Sequence, residues 1–316
     1  MRFVLIKLLR AALTLWLVIT FVFVVLRISG DPTDILLPDD VAQEVREYYR
    51  VKWGLDRTLW QQYLAYWQSL STGDFGVSLR SGLPAWDMVI ERAPKTLLLG
   101  ACGLAMAVFI GIPLGVIAAQ YQGSAVDRGV MSFAVFGFSM PNFFLGIILI
   151  LVFSLHLRWL PSSGSGTWAH LVMPAFTLGT AFAAQIARFT RSAMIDVSSR
   201  AYMRTARSKG AGPLRRVVSH AFPNAVVPIV TIIGLKVGEL IGGAVVVETV
   251  FAWPGLGRLV TIAVANRDLA LVQTILILIA VTMILTNLIV DLMYGWLDPR
   301  VRDARNAGGR RPEARA

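Results

Sequence analysis

The chain has 316 residues, of which 56% are hydrophobic and only 16% charged, and its mean hydropathy is +0.64. A soluble enzyme or binding domain does not carry that composition, whereas a polytopic membrane protein does. The net charge of +11 raises nucleic acid as a partner, but the placement of those charges argues against it.

Six apolar stretches, residues 8–28, 96–119, 130–155, 171–189, 226–247 and 270–292, are expected to cross the membrane as helices. A hydrocarbon core of roughly 30 Å needs about 17–25 helical residues per crossing. With the N-terminus inside, 18 of the 30 Lys and Arg lie on the inner side and ten on the outer, against five inner and twelve outer acids. By the positive-inside rule both termini are cytoplasmic, so the basic charge is a topology signal. The expected fold is therefore all-α and polytopic, with six transmembrane helices. The lone Cys102 permits no disulfide within the chain.

Taken in order, the chain opens with MRFVLIKLLR and an apolar run too long for a signal peptide, and without a cleavage pattern, so residues 1–28 read as an anchor. Residues 29–95 form an extracytoplasmic region. Within it 39–49 reads as a helix with acids in its first turn, and 59–70 (LWQQYLAYWQSL) as an aromatic amphipathic helix suited to packing on spans or on the interface. Gly73–Gly76 and Ser81–Pro84 read as turns. The second span carries Gly111-Ile112-Pro113-Leu114-Gly115 and the third Ser139-Met140-Pro141-Asn142. A proline removes a backbone hydrogen bond, so each is either a hinge or a static kink.

Between the fourth and fifth spans, residues 190–223 make a long basic excursion, AYMRTARSKGAGPLRRVVSHAFP at its centre. Residues 199–211 read as a short helix that Gly210 and Gly212-Pro213 end. Alone, such a loop is equally a solvated cytoplasmic segment held inside by its charge. The fifth span holds Lys236 and Glu239, three residues apart on one helix face. Ionisable groups at that depth either line a pathway or satisfy each other. Glu248–Leu259, ETVFAWPGLGRL, leaves this span at the outer face; its WPGLG alone reads as a turn with an interfacial aromatic. The last 18 residues, 299–316, are Arg-, Ala- and Gly-rich and read as a disordered cytoplasmic tail. There is no Gly-Lys pair and hence no phosphate-binding loop; the three histidines are scattered, and no nucleophile elbow is present. An enzyme is not supported.

The spacing Gly210-Ala211, eight residues, His220-Ala221-Phe222-Pro223 resembles the "EAA" loop of ABC importer permeases. Arg204-Thr205-Ala206 and Lys209 stand where acidic residues are more usual, which is similar to the basic variant of dipeptide, oligopeptide and nickel permeases. WGLDRTLWQQYLAYW, GDFGVSLRSGLP, IPLG, SMPNFFLG, RWLPSSG, ETVFAWPGLGRL and NLIVDLMYGWLDPR follow in the order of that family. The chain is accordingly identified as a permease subunit of this class, B-type, with residues 96–298 as the five-helix core. The resemblance implies a type I importer fold and a coupling helix in which Arg204, Thr205, Ala206, Lys209, Gly210, Ala211, Leu214 and Arg215 meet an ATPase. It implies an outer gate at Trp253, Pro254 and Gly255. Lys236 and Glu239, uncharged in most of the family, are the candidates for tuning a pathway. The implied partners are a homologous second permease, two cytoplasmic ABC ATPases that use ATP and Mg, and a periplasmic or lipid-anchored binding protein in the bacterial inner membrane system. No cofactor or metal is expected on this chain. Nickel chelates, glutathione, opines and oligosaccharides are alternative cargoes to di- or oligopeptides, and a membrane scaffold that docks a cytoplasmic partner is the reading outside transport.

Overall fold

The computed structural model describes residues 2–28, 30, 31, 33, 37 and 41–297. The tail expected at 299–316 and residues Asp39 and Asp40 lie outside them. Among the described residues the structure is helical apart from turns, loops and an isolated antiparallel bridge between Val77 and Pro84. Four helices are long and apolar enough to cross a membrane, and a bent pair makes a fifth candidate. The first helix, α1 (Arg2–Ile28), carries a further apolar run, Leu9–Val25.

The chain divides into two compact units. One comprises residues 1–98, 163–165 and 244–284. It contains α1, α2 (Gln43–Lys52), α3 (Leu59–Ser71) and the first part of α4 (Ala85–Gln120). Also in it are the end of α9 (Phe222–Val250), α10 (Leu256–Ala265) and most of α11 (Leu269–Leu297). Helix α2 starts later than the sequence suggests, at Gln43, with Glu44 as the acid of its described first turn. Helix α3 starts where the sequence places it, because Thr58 and Gln61 form a reciprocal capping box that satisfies two otherwise unpaired N–H groups. Its aromatic face packs on α1: the Tyr63 ring lies 5.3 Å from Phe23, and its hydroxyl is 2.8 Å from Thr20 Oγ1. Ala85 and Val89 of α4, Leu256, Leu259 and Ala263 of α10, and Leu271, Val272 and Ile275 of α11 form the core of this unit.

The other unit comprises, of the described residues, 99–162, 166–243 and 285–297. In it the rest of α4 packs on α7 (Ala169–Ser198) with almost no space between backbones. A Cβ on Gly111 would stand 2.7 Å from the Ala183 carbonyl oxygen, and one on Gly115 2.5 Å from that of Ala187. One on Gly179 would stand 2.7 Å from the Gly103 oxygen. The IPLG stretch, read from sequence as a hinge or kink, is thus a contact surface, and α4 runs through Pro113 without a break. Small residues let membrane helices approach closely, and here they set the α4–α7 distance. Gly115→Val is expected to cost about 3 kcal/mol by overpacking. The measurement is the melting temperature of the purified protein in detergent, with Gly129→Val, where a Cβ meets nothing, as the tolerated control.

The third expected span is not one straight helix. Helix α5 (Ala125–Ser139) and α6 (Asn142–Leu149), which continues as a π-helical segment Ile150–His156, meet at 98°. Pro141 is extended and forces the same on Met140, so two consecutive extended residues redirect the chain rather than kink it. Helix α7 outruns its expected end at residue 189, continuing to Ser198, because its polar extension finds a partner. Arg191 makes two hydrogen bonds, 2.6 and 2.7 Å, to Asp127 at the start of α5.

Candidate functional site

The basic excursion forms a short helix, α8 (Ala201–Ser208), shorter at both ends than the sequence suggests. Its stop is a paired cap. The Gly210 N–H donates to the Arg207 carbonyl and the Ala211 N–H to the Ala206 carbonyl, with Gly210 at φ +78°. This arrangement requires a left-handed residue, which glycine adopts without penalty. Gly212 is extended and Pro213 occupies the first helical position of the next turn, where its missing N–H costs nothing. A short turn Pro213–Arg215 and a π-helical segment Arg216–Ala221 then lead into α9.

Helix α8 has two unlike faces. Met203 is buried with Ala193, Met194 and Val197 of α7, Ala221, and Ala225 and Ile229 of α9; Ile112, Val116 and Ala119 of α4 pack against the same cluster. Arg204, Thr205, Arg207, Lys209, Gly210 and Arg215 are exposed, Ala206 and Ala211 half-buried. Leu214 is 74% exposed among these cations. Six of the eight expected docking positions are thus exposed and two half-buried, all on one continuous segment, 204–215, that is anchored from beneath at Met203.

In α9, Lys236 Nζ lies 2.5 Å from Glu239 Oε2 and 5.9 Å from the Phe182 ring centroid. The lysine side chain is 7% exposed and the glutamate 55%. The pair is therefore asymmetric: the cation is packed within its own chain and the carboxylate is presented outward.

The ETVFAWPGLGRL segment is folded inward around Glu248, which is fully buried. Thr96 Oγ1 donates to one Glu248 oxygen at 2.6 Å, the Arg258 N–H to the other at 3.0 Å, and the Leu256 N–H to Thr96 Oγ1 at 2.7 Å. Trp253 is buried, its indole N–H donating to the Lys95 carbonyl at 3.0 Å. Pro254 is half-buried and Gly255 lies against the Glu248 carboxylate, leaving no room for a Cβ. An interfacial aromatic, expected from WPGLG alone, is not what Trp253 provides; it anchors the loop. Among the described residues no three His, Cys, Asp or Glu side chains group as a metal site would require.

Residues 111–303 match the family described as binding-protein-dependent transport system inner membrane component. The chain belongs to that family. It is 41% identical over 303 residues to the glutathione transport system permease protein GsiC of Escherichia coli K12, covering 96% of this chain and 99% of the relative. It is 39% identical to the dipeptide transport system permease protein DppB of the same strain, covering 90% and 93%. Among solved structures it resembles the inward-facing MetNI methionine ABC transporter, at a TM-score of 0.59 and 21% identity over 68% of this chain and 98% of that one. An amino acid ABC transporter crystallised with histidines matches at 0.52 and 15% identity, over 66% and 93%. These likenesses show an ABC importer permease fold. The chain is a membrane-spanning transport subunit, not an enzyme.

Sequence reasoning about this permease did not find two connections. Asp127–Arg191 joins residues 64 apart and Thr96–Glu248 residues 152 apart. Glu248 stood inside a quoted motif, yet nothing in the local pattern names Thr96 as its partner. Ser124, which caps α5 by accepting from the Asp127 N–H at 3.3 Å, was the available sign that Asp127 sits at a helix start.

Proposed function

We propose that this permease forms half of the translocation pathway of an ATP-driven importer for short peptides. The observation that carries this is the nearly full-length similarity to two permeases named for glutathione and dipeptide transport, both of them peptides. On this reading a homologous permease completes the pathway, two cytoplasmic ABC ATPases bind and hydrolyse ATP with Mg, and a periplasmic or lipid-anchored protein delivers the solute. The setting is a bacterial inner membrane. Exposed Arg204, Lys209, Arg215 and Leu214 dock in an ATPase cleft, and the buried Met203 passes the resulting displacement to α4, α7 and α9. Such rigid-body coupling needs a helix that cannot slide on its own scaffold.

The deciding experiment is purification of the tagged protein in mild detergent with mass spectrometry of what accompanies it. Recovery of a second six-span permease and P-loop ATPases supports the importer. Recovery of this chain alone as a stable homo-oligomer overturns it in favour of a scaffold.

Glu239 faces the pathway in this proposal, held by Lys236, and sets a preference for zwitterionic or cationic solutes. Glu239→Gln is expected to lower uptake of lysine-containing dipeptides relative to neutral ones by about ten-fold, the scale of one charge-assisted contact. Uptake assays with competing dipeptides check this, and an unchanged preference with unchanged rate removes Glu239 from the pathway.

A further inference from the structure

Helices α1, α2 and α3, the loop 74–82 and the start of α11 line an open-sided cavity of about 570 Å³. Arg27, Lys52, Tyr49, Trp53, Tyr66 and Asp74 are among its lining residues. Arg27 lies in the last turn of α1, just beyond the apolar run Leu9–Val25, and with a cytoplasmic N-terminus that end of the helix is on the outer side. An arginine placed there would ordinarily extend its head into water. Arg27 does not: its Nε and Nη1 are buried and find no hydrogen-bond partner among the described residues. Leaving buried guanidinium donors unmet is costly, and a ligand acceptor removes that cost.

The nearby acids are not free to serve. Asp31 lies 3.0 Å from Arg50 Nε and accepts from the Thr33 N–H and hydroxyl, while Asp74 accepts from the Gly76 N–H at 2.8 Å. Lys52 adds a second cation, standing 5.7 Å from the Tyr49 ring centroid. The surrounding helices turn apolar side chains outward, with Tyr48 61%, Val51 57% and Trp60 66% exposed. Aromatic and aliphatic groups at this level lie in the headgroup and upper acyl region of a membrane.

From these observations we infer that the cavity binds the phosphodiester headgroup of an anionic phospholipid of the outer leaflet. Arg27 offers the planar donor pair suited to phosphate oxygens, Lys52 a second positive charge, and the aromatic walls the cover for the glycerol and first methylenes. The site is independent of which solute the permease carries.

The test uses the full chain with its partner subunits, delipidated in mild detergent and titrated with phosphatidylglycerol or phosphatidylcholine of identical acyl chains, read by native mass spectrometry. Phosphatidylglycerol is expected to bind in preference to phosphatidylcholine, Arg27→Gln to weaken it about ten-fold, and Arg27→Lys to restore part of that loss. Equal binding of the two lipids by the unaltered protein overturns the assignment, as does unchanged affinity in Arg27→Gln. Should Arg27→Gln fail to fold, Lys52→Gln carries the same reading, and unchanged affinity there counts against the site. Inorganic phosphate binding as tightly as the lipid would make free phosphate the source. Displacement of the lipid by a dipeptide would give the cavity to the solute pathway. Either result overturns the inference.

Discussion

An importer containing Gly210→Trp is expected to assemble normally, yet its ATP hydrolysis should no longer rise when loaded binding protein is added. Gly210 sits at φ +78° with open space where a Cβ would stand, so a side chain can leave the backbone there without an immediate clash. Two effects then combine on the docking face. The left-handed backbone costs a non-glycine residue roughly 1–2 kcal/mol and loosens the cap that stops α8. The indole itself stands beside Lys209, where a partner cleft would have to close. Coupling free energies between sites are typically about 1–3 kcal/mol, so loss of docking removes roughly five- to 150-fold of stimulation. Gly210→Ala separates the two causes, because it strains the cap without adding bulk. Measured ATPase rates with and without loaded binding protein decide the matter. Stimulation preserved in the tryptophan variant sinks the coupling assignment for this segment.

Glu248→Ala is expected to destabilise the outer loop by about 3 kcal/mol, without touching the docking face. Its carboxylate accepts from both the Thr96 hydroxyl and the Arg258 N–H, and each buried donor left without an acceptor costs ~1–3 kcal/mol. Thr96 in turn holds the Leu256 N–H, so the loss spreads to the start of α10. Truncation also opens space beside Gly255, which now rests against the carboxylate. Melting of the detergent-purified protein should fall by several degrees, and protease should reach the chain near Ala252. Glu248→Gln, which keeps an acceptor oxygen, should lie between the two. A variant with alanine that melts like the parent would show that the network contributes nothing to stability.

These two cases also mark what a single sequence discloses. Gly210 and the Gly212-Pro213 pair could be read as the end of α8 because their backbone demands are local. The start of α3 was legible from its aromatic amphipathic run, and Thr58 and Gln61, three residues apart, were a further local sign that went unread. The six apolar stretches were visible from composition, although the direction change at Pro141 was not, because a proline alone does not distinguish a kink from a corner. Gly111 and Gly115 looked like an interruption for a related reason. Their role depends on the carbonyls of Ala183 and Ala187, and those residues carry no sign of the pairing in their own neighbourhood. Thr96 and Glu248 were out of reach altogether, being joined only once the chain has folded. Lys236 and Glu239 were legible as a pair, but the burial of one and the outward presentation of the other are products of packing against Phe182.

The seat of α8 bears on how such permeases can be recombined. Met203 belongs to one buried cluster with residues of α7 and α9, and side chains of α4 pack against that cluster. Grafting only residues 201–209 from a relative would set a foreign side chain on a surface shaped for this methionine. The smallest exchangeable cassette is instead the helix with its three neighbours. Changes in which motor a permease accepts should therefore have travelled, during divergence of these transporters, together with substitutions far from the exposed docking side chains.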